Sequence, residues 1–206
     1  MGIEHERKSG VKEQIINIAK NAASAAGFLS GLSSSEKNII LKEMALSLLK
    51  NKNVILRANK KDLVSAKKAK LSAALIDRLF LDEKRIRDMA DGLLNVAKLE
   101  DPIGKEIRSW DVPSGLQIHK VRVPIGVIAI IYESRPNVTA DCIGLCFKSG
   151  NSVILRGGSE ALNSNTAIFR AIAEVIKSNG LPEGTVSLIS TKDREAVDIL
   201  LKLNNY

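Results

Sequence analysis

The sequence predicts an α/β protein in which N-terminal helices and a β-hairpin arm precede a doubly wound parallel sheet. Three patterns support this fold class. Apolar residues recur at helical spacing through residues 1–100, a hairpin pattern occupies residues 101–123, and strand and helix patterns alternate through residues 124–206. A chain of 206 residues is long enough to bury one or two hydrophobic cores.

Residues 1–100 have the pattern of several amphipathic helices. Ser33 with Glu36 has the spacing of a capping box that starts the second helix. The apolar residues that mark the first helix are Ile15, Ile16, Ile18, Ala19, Ala22, Ala23 and Ala26. Asp82 is placed to cap a later helix. The residues expected to face inward in the second helix are Ile39, Ile40, Met44, Leu48 and Leu49.

Residues 101–123 are predicted to form a projecting β-hairpin. Pro113-Ser114-Gly115 is a turn signal between two strand-like stretches, Ile107–Val112 and Leu116–Val123. The edges of such a hairpin have unpaired backbone groups, and pairing with another subunit is one way to cover them. His119 lies on this arm and is interpreted as an ordinary strand side chain.

The segment from residue 124 onward reads as a Rossmann-like sheet core. Ile125–Ile131 is a nearly unbroken run of apolar, β-branched residues, which favours a central strand covered on both faces. Pro136 is expected to follow the end of that strand, and Asn137 to cap a helix over Val138–Ser149. Gly150 suits the left-handed position that ends the helix.

The strand and helix unit then repeats. Ser152–Leu155 is predicted to be a strand, Ala161–Asn179 a helix and Thr185–Ile189 a third strand. Because parallel strands end at the same edge of a sheet, the loops around Asn137 and Gly157 are expected to lie side by side. That edge is where such sheets bind nucleotides.

The second of these loops has the composition of a nucleotide-binding corner. Gly157 and Gly158 lack the Cβ atoms that would hold a ligand away from the backbone, and Arg156 provides a permanent cation beside them. A phosphate or a ribose would suit such a corner.

Cys142 and Cys146 lie four residues apart on one predicted helix in an apolar setting. Two buried, inert thiols are the first interpretation, and a catalytic thiol with a lowered pKa is the sharper alternative. Neither His5 nor His119 is near them in sequence, so no metal site is expected.

The formal net charge of +8 raises the question of nucleic-acid binding. Many of the cations fall on one predicted helix opposite an apolar face, which is typical of a solvated surface. Aromatic residues make up 3% of the chain and do not alternate with the cations, so we expect no nucleic-acid partner. A basic interaction module remains a distant alternative. The cations are Arg57, Lys60, Lys61, Lys67, Lys68 and Lys70.

No membrane partner is expected either. No apolar run approaches the roughly 20 residues that a spanning helix requires. The N-terminus lacks the apolar core of a signal peptide. We therefore expect the chain in the cytoplasm.

Several separated motifs resemble the aldehyde dehydrogenase superfamily in order and spacing. The segments YESRPNVTAD and ILRGGSEALNSN are similar to the corresponding segments of the members that act on γ-glutamyl phosphate. The resemblance spans essentially the whole chain but only about the first half of the family's chain. The motifs are Pro124-Ile125-Gly126-Val127, Pro136-Asn137, Gly150-Asn151, Ser159-Glu160 after a basic residue, and Gly180-Leu181-Pro182-Glu183-Gly184.

The resemblance implies NADPH-dependent reduction of L-glutamyl 5-phosphate to L-glutamate 5-semialdehyde, with release of phosphate, in proline biosynthesis. In the family a cysteine thiolate attacks the acyl group and the thioester accepts hydride from the cofactor. That cysteine lies in a second domain, downstream of the sequence matched here. We therefore expect this chain to be an inactive, truncated, cofactor-binding portion. An acylating member that uses CoA thioesters stays open as an alternative.

The resemblance also implies partners. The hairpin would belong to a small oligomerisation arm, so a homo-oligomer, and in the simplest case a dimer, is expected. The pathway links the enzyme to glutamate 5-kinase.

The final amphipathic stretch, Glu195–Leu203, is expected to need a partner surface.

The resemblance assigns roles to residues of the two loops. Asn137 matches the loop asparagine whose amide helps to form the oxyanion hole, although from sequence alone a helix N-cap fits equally well. Arg135 could orient the phosphate or carboxylate of the substrate, or it could be merely solvated. One residue is inserted relative to the family's usual Lys-Pro-Ser-Glu. The expected cofactor-binding residues are Arg156, Gly157, Gly158, Ser159 and Glu160.

Overall fold

The structure is a computed structural model that describes residues 2–191, 193 and 195–203, with side chains from residue 10 onward. The described helices are α1 (Gly2–Leu29), α2 (Ser34–Lys50), α3 (Lys52–Lys68), α4 (Ala73–Leu79), α5 (Glu83–Lys98), α6 (Asn137–Lys148), α7 (Leu162–Ser178) and α8 (Glu195–Leu201). The described strands are β1 (Glu106–Asp111), β2 (Gln117–Val121), β3 (Val127–Ile131), β4 (Ser152–Arg156) and β5 (Val186–Leu188). This element order confirms the predicted fold class.

The predicted capping signals determine where two of the N-terminal helices begin. The backbone N–H of Glu36 donates to the Ser33 hydroxyl at 3.2 Å, and the backbone N–H of Ser33 donates to the Glu36 carboxylate at 2.8 Å. Asp82 accepts from the backbone N–H of Arg85 at 2.7 Å. The capping box and the Asp82 cap are therefore confirmed.

The predicted inward face of α2 is wrong at two of its five positions. Ile39 is 51% exposed and Leu49 is 36% exposed. Each adjoins a buried residue in sequence, and adjacent residues on a helix point about 100° apart, so they leave the narrow buried stripe. The buried apolar residues of α2 are Ile40, Leu41, Met44, Ala45 and Leu48.

The predicted hairpin is confirmed, and it projects from the rest of the fold. Strands β1 and β2 pair in antiparallel fashion, with Ser109 opposite His119. Gly115 adopts a φ of 84° in the connecting turn, which is a conformation that favours glycine. Every residue of both strands is exposed in the described structure.

The main sheet is parallel with the order β3-β4-β5, so β4 is its centre. The prediction of a central strand at Ile125–Ile131 is therefore wrong, because β3 lies at the edge of the described sheet. Ala129 and Ile131 are exposed, whereas Ser152–Leu155 of β4 are all buried. An apolar, β-branched run indicates a strand, but it does not show which neighbours the strand has.

Helices cover both faces of the sheet. Val153 and Leu155 of β4 face a core built with α2, α5, α6 and α7, and Ile154 faces a second core built with α1 and α8. Ala196 and Leu200 of α8 are buried in that second core. The last amphipathic stretch thus finds its partner surface in α1, within the chain itself. No helix in the described ranges has the length and apolar character to cross a membrane.

Candidate functional site

Two loops meet at the carboxyl edge of the sheet, as predicted. The β3–α6 loop (residues 132–136) and the β4–α7 loop (residues 157–161) follow strands that pair in parallel, with Ile131 opposite Arg156. The backbone N–H of Tyr132 donates to the carbonyl of Arg156 at 3.1 Å. The Ser134 hydroxyl donates to the Glu160 carboxylate at 3.0 Å. Backbone and side-chain hydrogen bonds therefore hold the two loops together.

The two glycines of the β4–α7 loop allow this close approach. A Cβ atom on Gly157 would overlap the side-chain amide of Asn165 and come within 3.0 Å of the Tyr132 ring. A Cβ atom on Gly158 would lie 3.0 Å from the Ser134 hydroxyl and 3.3 Å from its backbone nitrogen. The space left by both missing Cβ atoms is filled by protein. The observed reason for the glycines is loop packing, which differs from the predicted approach of a ligand to bare backbone.

A buried hydrogen-bond chain that the sequence did not predict supports the two loops. The Tyr132 hydroxyl lies 2.7 Å from the Thr139 hydroxyl, which in turn donates to the side-chain oxygen of Asn165 at 3.2 Å. Thr139 and Asn165 are almost fully buried. Burial raises the pKa of Tyr132 to about 12, so its hydroxyl keeps its proton near neutral pH. These three residues link the β3–α6 loop, α6 and α7, and no local pattern in the sequence marks them.

Arg156, Ser159 and Glu160 form the polar surface of the β4–α7 loop. Nη1 of Arg156 donates to the carbonyl of Gly157 at 2.9 Å, whereas its Nε is buried and has no hydrogen-bond partner in the described structure. Ser159 is exposed and donates to the Glu160 carboxylate at 3.3 Å. A hydrogen bond from its own backbone N–H lowers the pKa of Glu160, with smaller contributions from the hydroxyls of Ser134 and Ser159. The loop thus combines a buried guanidinium N–H that has no partner with an exposed hydroxyl and an ionised carboxylate.

Asn137 is the first residue of α6, so the predicted N-cap role is wrong. Pro136 occupies the cap position, and no side chain caps this helix. The Asn137 amide instead extends along the helix and donates from Nδ2 to the Asp141 carboxylate at 3.1 Å. Because an ionised carboxylate only accepts hydrogen bonds, Asp141 fixes which end of the amide faces it. The second N–H of Nδ2 remains available to an oxygen of a ligand.

Arg135 and Asn137 line a cleft of about 440 Å³ between α6 and the α4–α5 connection. Both side chains are exposed. Arg135 forms no ion pair with any other residue that the structure describes. The cleft is lined by Asp77, Arg78, Phe80, Leu81, Arg85, Asp88, Met89, Arg135, Asn137 and Asp141. Its wall therefore carries charges of both signs.

Asp141 is the least solvated acid of this cleft, and it was not among the predicted site residues. Burial raises the pKa of Asp141, and the hydrogen bond from Asn137 partly offsets that effect. Its spacing of four residues from Asn137 is the one signal in the sequence that could have identified it, because residues i and i+4 share a helix face.

A second groove, of about 670 Å³, runs between α3 and α7. Its lining includes the cations Arg57, Lys61 and Arg170, and it reaches Leu162 and Ser190. Leu162 begins α7 and Ser190 follows β5, so this α3–α7 groove opens at the same edge of the sheet as the β4–α7 loop.

The two cysteines lack the environment of a reactive thiol. Burial raises the pKa of Cys146 to about 11, and burial together with Asp141 raises the pKa of Cys142. Both thiols are free, Cys146 is buried and Cys142 is half-buried. These environments support the interpretation as inert thiols. Among the described side chains, no group of three or more His, Cys, Asp or Glu residues could hold a metal ion.

Known proteins with similar sequences and folds identify the family of this chain. The profile of the aldehyde dehydrogenase family matches residues 6–205. The chain belongs to the aldehyde dehydrogenase family. The resemblance that the sequence motifs carry is therefore confirmed.

Within this family, the chain is similar to proteins named gamma-glutamyl phosphate reductase. The protein of that name from Clostridium novyi (strain NT) is 52% identical over 196 residues, a match that covers 95% of this chain and 47% of the relative. The crystal structure from Thermotoga maritima has a TM-score of 0.90 at 43% identity, covering 93% of this chain and 46% of that one.

A second solved gamma-glutamyl phosphate reductase, from Saccharomyces cerevisiae, has a TM-score of 0.81 at 36% identity and covers 87% of this chain and 47% of that one. The chain thus spans about half the length of the relatives it matches, and the match falls on their N-terminal part.

Proposed function

We propose that this chain is the cofactor-binding portion of an enzyme that reduces L-glutamyl 5-phosphate to L-glutamate 5-semialdehyde with NADPH, in proline biosynthesis. The observation that carries the proposal is the joining of the β3–α6 and β4–α7 loops at the carboxyl edge of the sheet. The first loop leads to Asn137 and the acyl-binding cleft, and the second contains Arg156 and its unused donor. The relatives' shared name supports the choice of an acyl phosphate over a CoA thioester.

Asn137 is proposed to stabilise the oxyanion that develops on the acyl carbon. Its Nδ2 keeps one N–H free while Asp141 holds the other, so a donor is oriented before the substrate arrives. Arg135 adjoins it on the cleft wall and is proposed to orient the phosphate of the substrate as a cation. Together these residues would bind and polarise the acyl phosphate.

The β4–α7 loop is proposed to bind the cofactor. The buried, unpartnered Nε of Arg156 and the exposed hydroxyl of Ser159 fit the ribose and 2′-phosphate of NADPH, with Glu160 holding the loop to Ser134. Gly157 and Gly158 would contribute by letting the loop pack closely. The cationic α3–α7 groove opens beside this loop and would take the adenosine end. When bound, the reduced nicotinamide supplies the hydride that reduces the acyl group.

The thiolate that attacks the acyl carbon is proposed to come from sequence beyond this chain. Cys142 and Cys146 have raised pKa values, so neither is activated as a nucleophile. We therefore expect the chain alone to bind its cofactor without completing the reaction.

The wider context of the enzyme is also a proposal. The projecting hairpin, with every strand residue exposed, is proposed as the arm through which copies of the protein form a dimer. The substrate would come from glutamate 5-kinase, and the enzyme would work in the cytoplasm with no nucleic-acid or membrane partner.

Cofactor binding tests the proposal. We expect this chain to enhance the fluorescence of NADPH on binding, with at least about tenfold tighter binding than for NADH because of the added phosphate contact. Arg156→Ala should remove that preference, and Arg108→Ala on the hairpin should retain it. Failure of a folded sample to bind either nucleotide would contradict the proposal.

Turnover tests the assignment of the nucleophile. Incubation of the chain with glutamate 5-semialdehyde, NADP⁺ and phosphate should produce no NADPH above the background without protein. Robust turnover would refute the assignment and would make Cys142 the first candidate nucleophile, because its side chain is the more exposed of the two.

A further inference from the structure

Asp141 differs from the other two acids of the cleft in its partners. Asp77 pairs with Arg85 at 2.9 Å, and Asp88 pairs with Lys84 at 3.5 Å. Asp141 receives a hydrogen bond from the neutral amide of Asn137 and forms no ion pair in the described part of the chain. It is also half-buried, so it is the acid of this cleft with the least solvation and no cation. A carboxylate in that environment favours a positively charged ligand group.

The spacing between Asn137 and Asp141 indicates how far the positive group of a ligand would lie from its acyl group. The two residues lie four positions apart on the same face of α6, a backbone rise of about 6 Å, and their side chains meet at 3.1 Å between Nδ2 and the carboxylate. In an amino acid with its acyl group at the γ-carbon, four bonds of about 1.5 Å separate the acyl carbon from the α-nitrogen. Fully extended, these four bonds span about 5 Å, which is comparable with the spacing of the two residues along α6. A substrate with its acyl oxygen at Asn137 therefore places its α-ammonium group at Asp141.

We propose that the Asp141 carboxylate binds the α-ammonium group of the amino-acid substrate and so determines that the enzyme acts on a γ-acyl amino acid. This inference rests on the proposed function, because it takes the acyl group to be bound at Asn137. The same cleft carries the cations Arg78, which pairs with Glu133, and Arg85, which pairs with Asp77, and these would face the α-carboxylate of such a substrate. Acyl compounds without an amino group leave Asp141 unpaired in the cleft, so they bind less tightly.

The test compares two ligands that differ in one group. L-glutamine carries the α-ammonium group and a neutral γ-amide in place of the acyl phosphate, and glutaramic acid is the same molecule without the amino group. Both are titrated into this chain while the NMR signals of the Asn137 side-chain amide are followed. We expect L-glutamine to bind at least about tenfold more tightly than glutaramic acid, because a charge-assisted hydrogen bond is lost in the second case.

Two matched variants test whether the charge of Asp141 causes the preference for L-glutamine over glutaramic acid. Asp141→Asn keeps the shape of the side chain and the hydrogen bond from Asn137 but removes the charge, so the two ligands should then bind within about twofold of each other. Asp88→Asn removes an equal charge from another residue of the cleft lining and should retain the tenfold preference. Equal binding of the two ligands by the wild-type chain, no binding of L-glutamine, or an unchanged preference in Asp141→Asn would overturn the inference.

NADPH binding by the same samples separates this inference from the proposed function. Asp141→Asn should bind NADPH as the wild-type chain does, because Asp141 lies outside the β4–α7 loop. If the wild-type chain discriminates between the ligands but fails to bind NADPH, the cofactor-binding part of the proposed function fails, while the acyl site at Asn137 and the Asp141 assignment stand. If it binds NADPH but shows no discrimination, the Asp141 assignment alone fails.

Discussion

At the scale of single residues, the tightest approach in the site is made by the backbone of Gly157 to Asn165 and Tyr132. A methyl group at this position would overlap the amide of Asn165, which is buried and already bonded to Thr139. The position therefore requires glycine for its lack of a side chain, with no need of an unusual backbone angle.

Gly157→Ala is expected to lower the free energy of unfolding by about 1–3 kcal/mol, because the buried neighbours must shift to admit the methyl group. Gly27→Ala is the control. A Cβ on Gly27 meets no atom within 4 Å, and alanine is the better helix former, so that variant should be neutral or slightly more stable. Chemical denaturation measures both, and equal stabilities would contradict the observed packing.

The two thiols provide a second test at the residue scale. Burial raises the pKa of Cys146 to about 11, and the thiolate fraction falls about tenfold for each unit that the pKa lies above the pH. Alkylation by iodoacetamide at pH 8 should therefore be slow in the folded chain and should rise with pH, with Cys142 reacting before Cys146. Unfolding in urea should make both react like free cysteine. Rapid alkylation of either thiol in the folded chain would contradict the inert assignment.

At the scale of elements, α7 depends on a residue from α3. Asp62 is almost fully buried and accepts hydrogen bonds from the backbone N–H groups of Asn163 and Ser164 at 3.2 and 2.7 Å. It also accepts from the side chains of the same two residues. The carboxylate thus caps α7 from about a hundred residues away and fixes the helix that follows the β4–α7 loop.

Asp62→Ala is expected to cost about 3 kcal/mol of unfolding free energy, because it leaves several buried donors without a partner. Asp82→Ala removes an ordinary N-cap that accepts one backbone hydrogen bond, and it should cost only about 1 kcal/mol. Thermal unfolding of the two variants side by side measures the difference. An Asp62→Ala variant as stable as Asp82→Ala would show that the remote cap contributes little.

The elements also show which features the sequence could predict. Helix starts at Ser33 and Asp82 depend on neighbours three residues away, so local signals were sufficient. The edge position of β3 depends on which strands pair with it, and the burial of Asp62 depends on a helix end far along the chain. Helical periodicity placed apolar residues on the inner face of α3, but the buried positions there include Asp62 and Asn59 as well.

In the candidate site, too, local features could be predicted from the sequence and features that depend on distant segments could not. The two loops were predicted to meet because parallel strands end at one edge of a sheet, and they do. The cap assigned to Asn137 was wrong because Pro136 takes that position, and Asp141 was missed because its importance depends on the cleft formed by the α4–α5 connection. Both features depend on contacts between residues that are far apart in the chain, and local sequence patterns do not predict such contacts.

At the scale of the whole molecule, we expect this chain to supply half of a pocket. One edge of the sheet would hold the cofactor, with the β4–α7 loop beside the α3–α7 groove, and the cleft beside Asn137 would hold the acyl group. The hairpin lies outside this region and would serve only contacts between copies of the chain.

An NMR titration of the chain with NADPH tests this central claim most directly. We expect saturable shifts in the signals of Arg156–Glu160, including the Nε–H of Arg156, and smaller shifts in the β3–α6 loop. The indole signal of Trp110 on the hairpin should not move. The absence of saturable shifts, or shifts confined to residues outside the two loops and the α3–α7 groove, would contradict the account.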